Sequence, residues 1–376
     1  MPTLDDLIKD VNKQYKEEII SMGLLKIHEE KIPLSSPTVN YMLYGGIPQG
    51  RLIEFSGEEG SGKTTTALDL VANAQKVFIK ELEVEIKAFK ARKKPTKAEL
   101  TRIERLKTKG PRKCIYADCE NTLDENWAEK IGVDLVNIVI IKPQTQTAEQ
   151  IFEMLLNFIE TGEVGLVVID SLAVMLSAQA YEKTMEERTY GGISMALTLF
   201  SKKAASACAK AKCTIIGINQ MREDMSSTYK LLNTPGGRAW KHNCSMRLLF
   251  RKGAFIDENH KELRRSAETP YGNIVETTIL KTKVCKPDRR MGTYTLDYTD
   301  GIDKVADTIA MGIKLGYISR RGSWYYIVDI ATGEIVHDEK GDLSFQGMGD
   351  LLRFFNYSEG ADLFKTLSQS IQEAIS

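Results

Sequence analysis

The sequence predicts an α/β protein: a mostly parallel central sheet covered by helices, with an N-terminal helical arm and a small C-terminal α+β domain. Three observations carry this. Short, near-continuous apolar runs alternate with helical segments. A glycine-rich loop stands between the first such run and the first long helix. Later strands follow one another without long helices between them, as antiparallel additions at a sheet edge do. The chain of 376 residues is too long for one small domain and suits one large core with appendages, or two domains. With 42% hydrophobic and 27% charged residues it can bury a core and is no disordered tail. Lys plus Arg and Asp plus Glu both number 51, which excludes a histone-like polycation but not a local basic surface for nucleic acid. No apolar run approaches the roughly 18 residues of a membrane span. Met1 to Lys9 lacks a signal pattern. The six cysteines contain no CxxC pair and read as reduced core residues. The four histidines do not cluster with cysteine, which argues against zinc. A cytoplasmic protein is expected.

The elements follow in order. Asp5 to Leu25 has apolar residues near helical spacing (Leu7, Val11, Tyr15, Ile19), so residues 1–32 read as a helical arm. Ile32 to Gly50 is turn-rich. Leu52 to Ser56 reads as a strand, Lys63 to Val77 as a helix, and Cys114 to Ala117 and Val136 to Ile141 as strands. Thr147 and Gln150 form a capping-box pattern ahead of a helix to Gly162. Leu166 to Ile169 is a strand, Ile193 to Lys212 an Ala-rich helix, and Thr214 to Asn219 a strand. Met246 to Arg251, Ile274 to Leu280 and Thr293 to Tyr298 are the edge additions. The core is expected over 33–301, with a charged helical hairpin inserted at 80–109, broken at Pro95 and capped by Thr96 and Glu99. A helix, a hairpin around Tyr317 to His337 and a final helix make the small domain at 302–376.

The strongest chemical signal is Gly57-Glu58-Glu59-Gly60-Ser61-Gly62-Lys63-Thr64. It fits G-x-x-x-x-G-K-[ST] directly between strand and helix. Glycines let backbone N–H groups wrap a phosphate without a Cβ in the way. The helix N-terminus adds partial positive charge. Lys63 reaches the β- and γ-phosphates, and the Thr64 hydroxyl serves Mg²⁺. Leu166-Val167-Val168-Ile169 ends in Asp170, a carboxylate at a buried strand tip that can hold an Mg²⁺-bound water.

The order of further motifs resembles the RecA-family recombinases, ATP-driven DNA strand-exchange proteins. The phosphate loop through Thr65 and its approach Gly45-Gly46-Ile47-Pro48-Gln49-Gly50-Arg51 are similar to the family's. So are Tyr116-Ala117-Asp118-Cys119-Glu120-Asn121-Thr122-Leu123-Asp124, Ile218-Asn219-Gln220 and Thr234-Pro235-Gly236-Gly237-Arg238-Ala239-Trp240-Lys241. The match runs from about 33 to 326. It implies a RecA-like phosphate-loop core, ATP and Mg²⁺ as cofactors, and DNA-dependent hydrolysis of ATP to ADP and phosphate. Glu120 becomes the general base; Asp118, two residues earlier on the strand, points the same way and competes for the role. Asp124 and Trp127 match positions that contact adenine, with tryptophan in place of the familiar tyrosine. Gln220 matches the γ-phosphate sensor, whose engagement orders the following segment.

The resemblance also assigns DNA-contacting loops to Tyr181–Gly192 and Met221–Arg238. Arg222, Lys230, Arg238 and the backbone near Gly236 and Gly237 can meet phosphates. Met221, Met225, Tyr229 and Leu231 can wedge between bases. The first loop is partly acidic and fits less well. Lys281 and Lys283 match lysines that reach the ATP of the adjacent protomer, which couples hydrolysis to assembly. Implied partners are single- and double-stranded DNA, further copies of the chain in a helical filament, and single-strand-binding and loader proteins; no membrane is implied. The inserted hairpin and the lack of an acidic tail mark a divergent member, such as a phage-encoded recombinase. Two rivals are a RecA-fold hexameric helicase or motor, and a non-catalytic ATP-binding regulator of recombination.

Overall fold

The computed structural model describes residues 3–15, 30–91, 97–182, 192–223, 232–338 and 341–375. The arm, by itself, is described as one helix, Leu4–Tyr15; the rest of the expected helix, to Leu25, lies outside the described residues. Thr3 and Asp6 cap it reciprocally: the Asp6 carboxylate accepts from Thr3 N and Oγ1, and Thr3 Oγ1 accepts from Asp6 N.

The body is built on one large sheet. Its strands are β1 (Leu52–Gly57), β2 (Lys113–Asp118), β3 (Ile138–Ile141), β4 (Val164–Asp170), β5 (Thr214–Gln220), β6 (Met246–Ile256), β7 (Gly272–Thr282), β8 (Met291–Asp297) and β9 (Gly301–Ile302). Their spatial order is β9-β8-β7-β6-β1-β5-β4-β2-β3, with Glu262–Leu263 pairing off β6. From β6 through β1, β5, β4 and β2 to β3 every pair is parallel; β6–β7, β7–β8 and β8–β9 are antiparallel. The central parallel strands β1, β2, β4 and β5 are buried on both faces, which is why they read as continuous apolar runs; β3, at the edge, is partly exposed. Alternate residues serve opposite cores. Leu166 and Val168 face the layer under helix Lys63–Lys90, while Val167 and Ile169 face helices Ala148–Glu160 and Ser194–Ala211.

Some boundaries differ from the sequence reading. Asp134 accepts from Val136 N, so Leu135–Asn137 coil into a 3₁₀ turn and β3 starts at Ile138 instead of Val136. The phosphate-loop helix runs to Lys90, past Val77, and absorbs the first arm of the inserted hairpin; Lys97–Lys109 is the second. The expected Thr96 cap lies outside the described residues. The Thr147/Gln150 capping box is formed. At the C-terminal end, helix Lys304–Leu315 packs with a small sheet of Ile318–Arg321, Trp324–Ile327 and Ser344–Gln346. The single final helix expected there is two, Met348–Asn356 and Ala361–Ile375, parted by a 3₁₀ turn.

Candidate active site

Parallel strands in one sheet present their C-terminal ends together, and here those ends carry the chemistry. Gly57 pairs with Gln220, and Asp118 with Asp170, in register at the ends of β1, β5, β2 and β4. The loop between Gly57 and Lys63 uses its glycines for two reasons. Gly60 (φ +68°) and Gly62 (φ +88°) occupy left-handed backbone. At Gly57 a Cβ would lie 2.3 Å from the Phe250 carbonyl oxygen and 2.8 Å from Ser61 Oγ. Lys63, 7% exposed, donates to Glu58 O at 2.5 Å and Ser61 Oγ at 3.3 Å, so its ammonium lies within the loop's curl. Burial pulls its pKa down, opposed by Asp170, Glu120, Glu59 and Glu58.

Thr64 Oγ1 donates to Asp170 Oδ2 at 2.8 Å, and the buried Tyr116 hydroxyl donates to the same oxygen at 2.7 Å. Burial pushes the Asp170 carboxyl up; the two hydrogen bonds oppose it. A hydroxyl and a carboxylate side by side are the hard oxygen donors that Mg²⁺ takes, so these residues fit that ion. Glu120 accepts from Gln220 Nε2 at 3.3 Å and from Ser171 Oγ. Asp118 is placed differently. It is 2% exposed, and its oxygens accept from Thr122 N (3.1 Å) and Leu123 N (3.0 Å). That carboxylate ties down the turn after β2, whereas Glu120 faces Gln220 across the strand ends. Cys119 between them is a thiol whose pKa burial raises to about 12, with the three carboxylates adding to it.

Asp124 is the N-cap of helix Glu125–Ile131, accepting from Asn126 N at 2.9 Å and Trp127 N at 3.2 Å. It therefore fixes the helix that carries Trp127. The half-buried indole lines a cleft of about 380 Å³ with Gly60–Thr65, Lys252, Leu296 and Tyr298. Sequence reading did not reach Lys252 and Tyr298; they arrive from the antiparallel edge, far along the chain, with no motif around them. Tyr298 is 42% exposed and its hydroxyl donates to Asn273 Oδ1 at 2.8 Å.

Of the first loop expected to contact DNA only Tyr181, Glu182 and Gly192 are described. In the second, Arg222–Glu223 pairs antiparallel with Leu232–Asn233, so its base is a two-stranded ribbon. Met225, Tyr229, Lys230 and Leu231 lie outside the described residues. Gly236 (φ +101°) opens helix Gly237–Asn243, where a Cβ would meet Leu197 Cδ2 at 2.6 Å. Arg238 on that helix is exposed. Lys281 and Lys283 stand apart from the phosphate loop, at the other end of the helix. Lys281 Nζ donates to the carbonyls of Lys241 (2.6 Å) and His242 (2.8 Å), and Lys283 Nζ to His242 (3.1 Å). Cations on these carbonyls complement the negative end of the helix dipole. Partial burial, with Lys283 alongside, lowers the Lys281 pKa.

A parallel sheet with a phosphate loop after one central strand and an Asp-tipped strand nearby defines a phosphate-loop nucleotide-binding protein. Comparison with known proteins narrows this. The family model for the RecA N-terminal domain matches residues 2–79 and 80–303. The chain is 30% identical to Protein RecA of Paracoccus denitrificans over 88% of its length and 82% of that protein's. Against Protein RecA of a Wolbachia of Drosophila simulans the identity is 31% with the same coverage; against that of Clostridium acetobutylicum it is 28%, covering 89% of this chain and 84% of the relative. The chain belongs to the RecA family and is a RecA-type recombinase. The family's members are DNA-dependent ATPases that use ATP with Mg²⁺ and form filaments. No helix among the described residues is long and apolar enough to cross a membrane.

Proposed function

We propose that this recombinase binds ATP in the loop Gly57 to Thr65, assembles along single-stranded DNA, and hydrolyses ATP to ADP and phosphate as it pairs and exchanges strands with homologous duplex. The observation that carries the reading is the hydrogen bond between Gln220 and Glu120. It links a carboxylate able to take a proton from water to the strand that runs into the second DNA-contacting loop.

In this reading the backbone N–H groups of Glu59 to Thr64 and the Lys63 ammonium bind the β- and γ-phosphates. Thr64 and Asp170 would hold Mg²⁺, which when bound would supply positive charge against that developing on the phosphate oxygens. Glu120 accepts a proton from the attacking water as the water oxygen bonds to the γ-phosphorus and the bond to the ADP oxygen breaks. Gln220 shares Glu120 with Ser171 and so orients it. Trp127 stacks on the base, on a helix that Asp124 fixes; Tyr298 and Lys252 flank the same cleft. Arg222, Lys230, Arg238 and the Gly236–Gly237 backbone bind DNA phosphates. Lys281 and Lys283 act on the nucleotide of a neighbouring copy.

The test is phosphate release with and without single-stranded DNA, beside electron micrographs of the ATP–DNA complex. Stimulated release together with open filaments is expected. Closed rings favour a hexameric motor, and unstimulated or absent turnover favours a non-catalytic regulator; either result ends the reading.

A further inference from the structure

We infer that Glu54 is a positioning residue that ties the Gln220 strand to the base of the second DNA-contacting loop, so that DNA occupancy reaches the nucleotide through it. The inference rests on the nucleotide and DNA reading above, and deepens it by naming the internal connection.

Glu54 lies in the centre of β1, three residues before Gly57, and is fully buried. A carboxylate in such a place is costly unless each oxygen is answered. Here both are. Oε1 accepts from Asn219 Nδ2 at 3.0 Å and from the Trp240 indole Nε1 at 3.2 Å; Oε2 accepts from Arg247 Nε. These partners come from three different elements. Asn219 immediately precedes Gln220 on β5. Trp240, itself fully buried, lies in the helix that Gly236 opens. Arg247 is the residue paired with Glu54 across β6–β1. The network then reaches the loop base directly. Asn219 Nδ2 also donates to Pro235 O at 2.9 Å, and Arg247 Nη2 to Thr234 Oγ1 at 3.3 Å.

The backbone leaves room for this arrangement. Glu54 pairs with Gly217 on β5, and a Cβ at Gly217 would stand 2.5 Å from Trp240 Cζ2. The indole therefore lies on the bare strand, with its N–H turned to the carboxylate. A shift of Thr234 and Pro235 when the loop takes up DNA pulls on Asn219 and Arg247 together. Asn219 moves the peptide that carries Gln220, and Gln220 holds Glu120. The carboxylate is the hub because, among the described residues, it alone bonds to the strand, the helix and the arginine at once.

The experiment compares wild type with Glu54→Gln, Trp240→Phe and Arg247→Lys. It reads nucleotide affinity, DNA-independent turnover, DNA-stimulated kcat and the DNA concentration giving half-stimulation. Glu54→Gln should keep nucleotide affinity and DNA-independent turnover within about twofold while losing at least about tenfold of the DNA stimulation. Trp240→Phe removes the indole N–H together with part of the ring that packs on Gly217 and should lose part of the stimulation; Arg247→Lys should do likewise. Wild-type stimulation in a folded Glu54→Gln protein overturns the inference. So does a loss of nucleotide affinity and basal turnover in step with stimulation, which marks a packing role. If circular dichroism shows Glu54→Gln unfolded, Trp240→Phe decides: unchanged stimulation overturns the inference. A wild-type protein indifferent to DNA instead sinks the functional reading, and this inference with it.

Discussion

Glu120→Gln and Asp118→Asn form a pair that separates two neighbouring carboxylates by their surroundings. Glu120→Gln keeps the side chain's size and one acceptor oxygen, so the contacts from Ser171 and Gln220 survive in part. What disappears is the ability to take a proton. A positioned general base is worth about 10²–10⁴ in rate, or roughly 3–5.5 kcal/mol of barrier. Asp118→Asn works the other way. Its two oxygens hold Thr122 N and Leu123 N, and an amide leaves one of these donors facing an NH₂ group. Hydrogen bonds to a charged acceptor contribute about 1.5–3 kcal/mol, so loss of one is a stability effect of that order. The assays are phosphate release at saturating single-stranded DNA, binding of a fluorescent ATP analogue, and denaturant midpoints. Glu120→Gln should bind nucleotide within a few-fold of wild type and lose at least about a hundredfold in turnover, with an unchanged midpoint. Asp118→Asn should lower the midpoint and retain most turnover once folded. If Glu120→Gln hydrolyses ATP at the wild-type rate, or if Asp118→Asn is the inactive one of the pair, the assignment of the base is wrong.

Other expectations follow from the same geometry. Lys63→Ala should abolish nucleotide binding or turnover, measured by equilibrium dialysis and phosphate release; tight binding with normal turnover would refute the role given to the ammonium. Lys281→Ala with Lys283→Ala should leave ATP binding by the protomer intact and remove DNA-stimulated turnover; unchanged stimulation would refute action on a neighbour's nucleotide. Asp307, buried and accepting from Ser36 Oγ, Thr38 Oγ1 and Thr38 N, has its carboxyl held up by burial at about 6 against an ordinary 3.8. The folded protein thus binds this proton more tightly than the unfolded chain, and stability from this group falls as pH rises from about 4 through 6. The two values correspond to roughly 3 kcal/mol. Asp307→Asn should flatten that part of the midpoint-against-pH curve; an unaltered slope would show that the carboxyl is not the source.

Most of what was legible was local. The strands β1, β4 and β5 announce themselves because burial on both faces requires continuous apolar runs, and the phosphate loop because few residue types tolerate its backbone. Val136 was misplaced because a single carboxylate, Asp134, diverts three residues into a 3₁₀ turn before the strand. The end of the phosphate-loop helix was misplaced because a rising density of Lys and Glu resembles a departure from the core, although both are good helix formers. Glu54 was invisible as a hub. Its partners lie some 165 to 193 positions away in sequence, and only the pairing of β1 with β5 and β6 assembles them. Lys281 and Lys283 could be matched as a pair, but their carbonyl partners at Lys241 and His242 belong to the backbone, which no residue pattern encodes. Tyr298 and Lys252 join the cleft at the phosphate loop only because the antiparallel edge folds back beside that loop.

The helix that begins at Lys63 spans 28 residues without a break. At 1.5 Å of rise per residue it is a rod of about 42 Å. One end is seated at the phosphate loop and the other ends the first arm of the inserted hairpin. A rod of that length magnifies rotation: a tilt of about 5° at the phosphate end displaces the tip by roughly 4 Å. A dye attached near Ala88 therefore sits where the smallest rearrangement around the γ-phosphate is easiest to see from outside, well clear of the chemistry it reports.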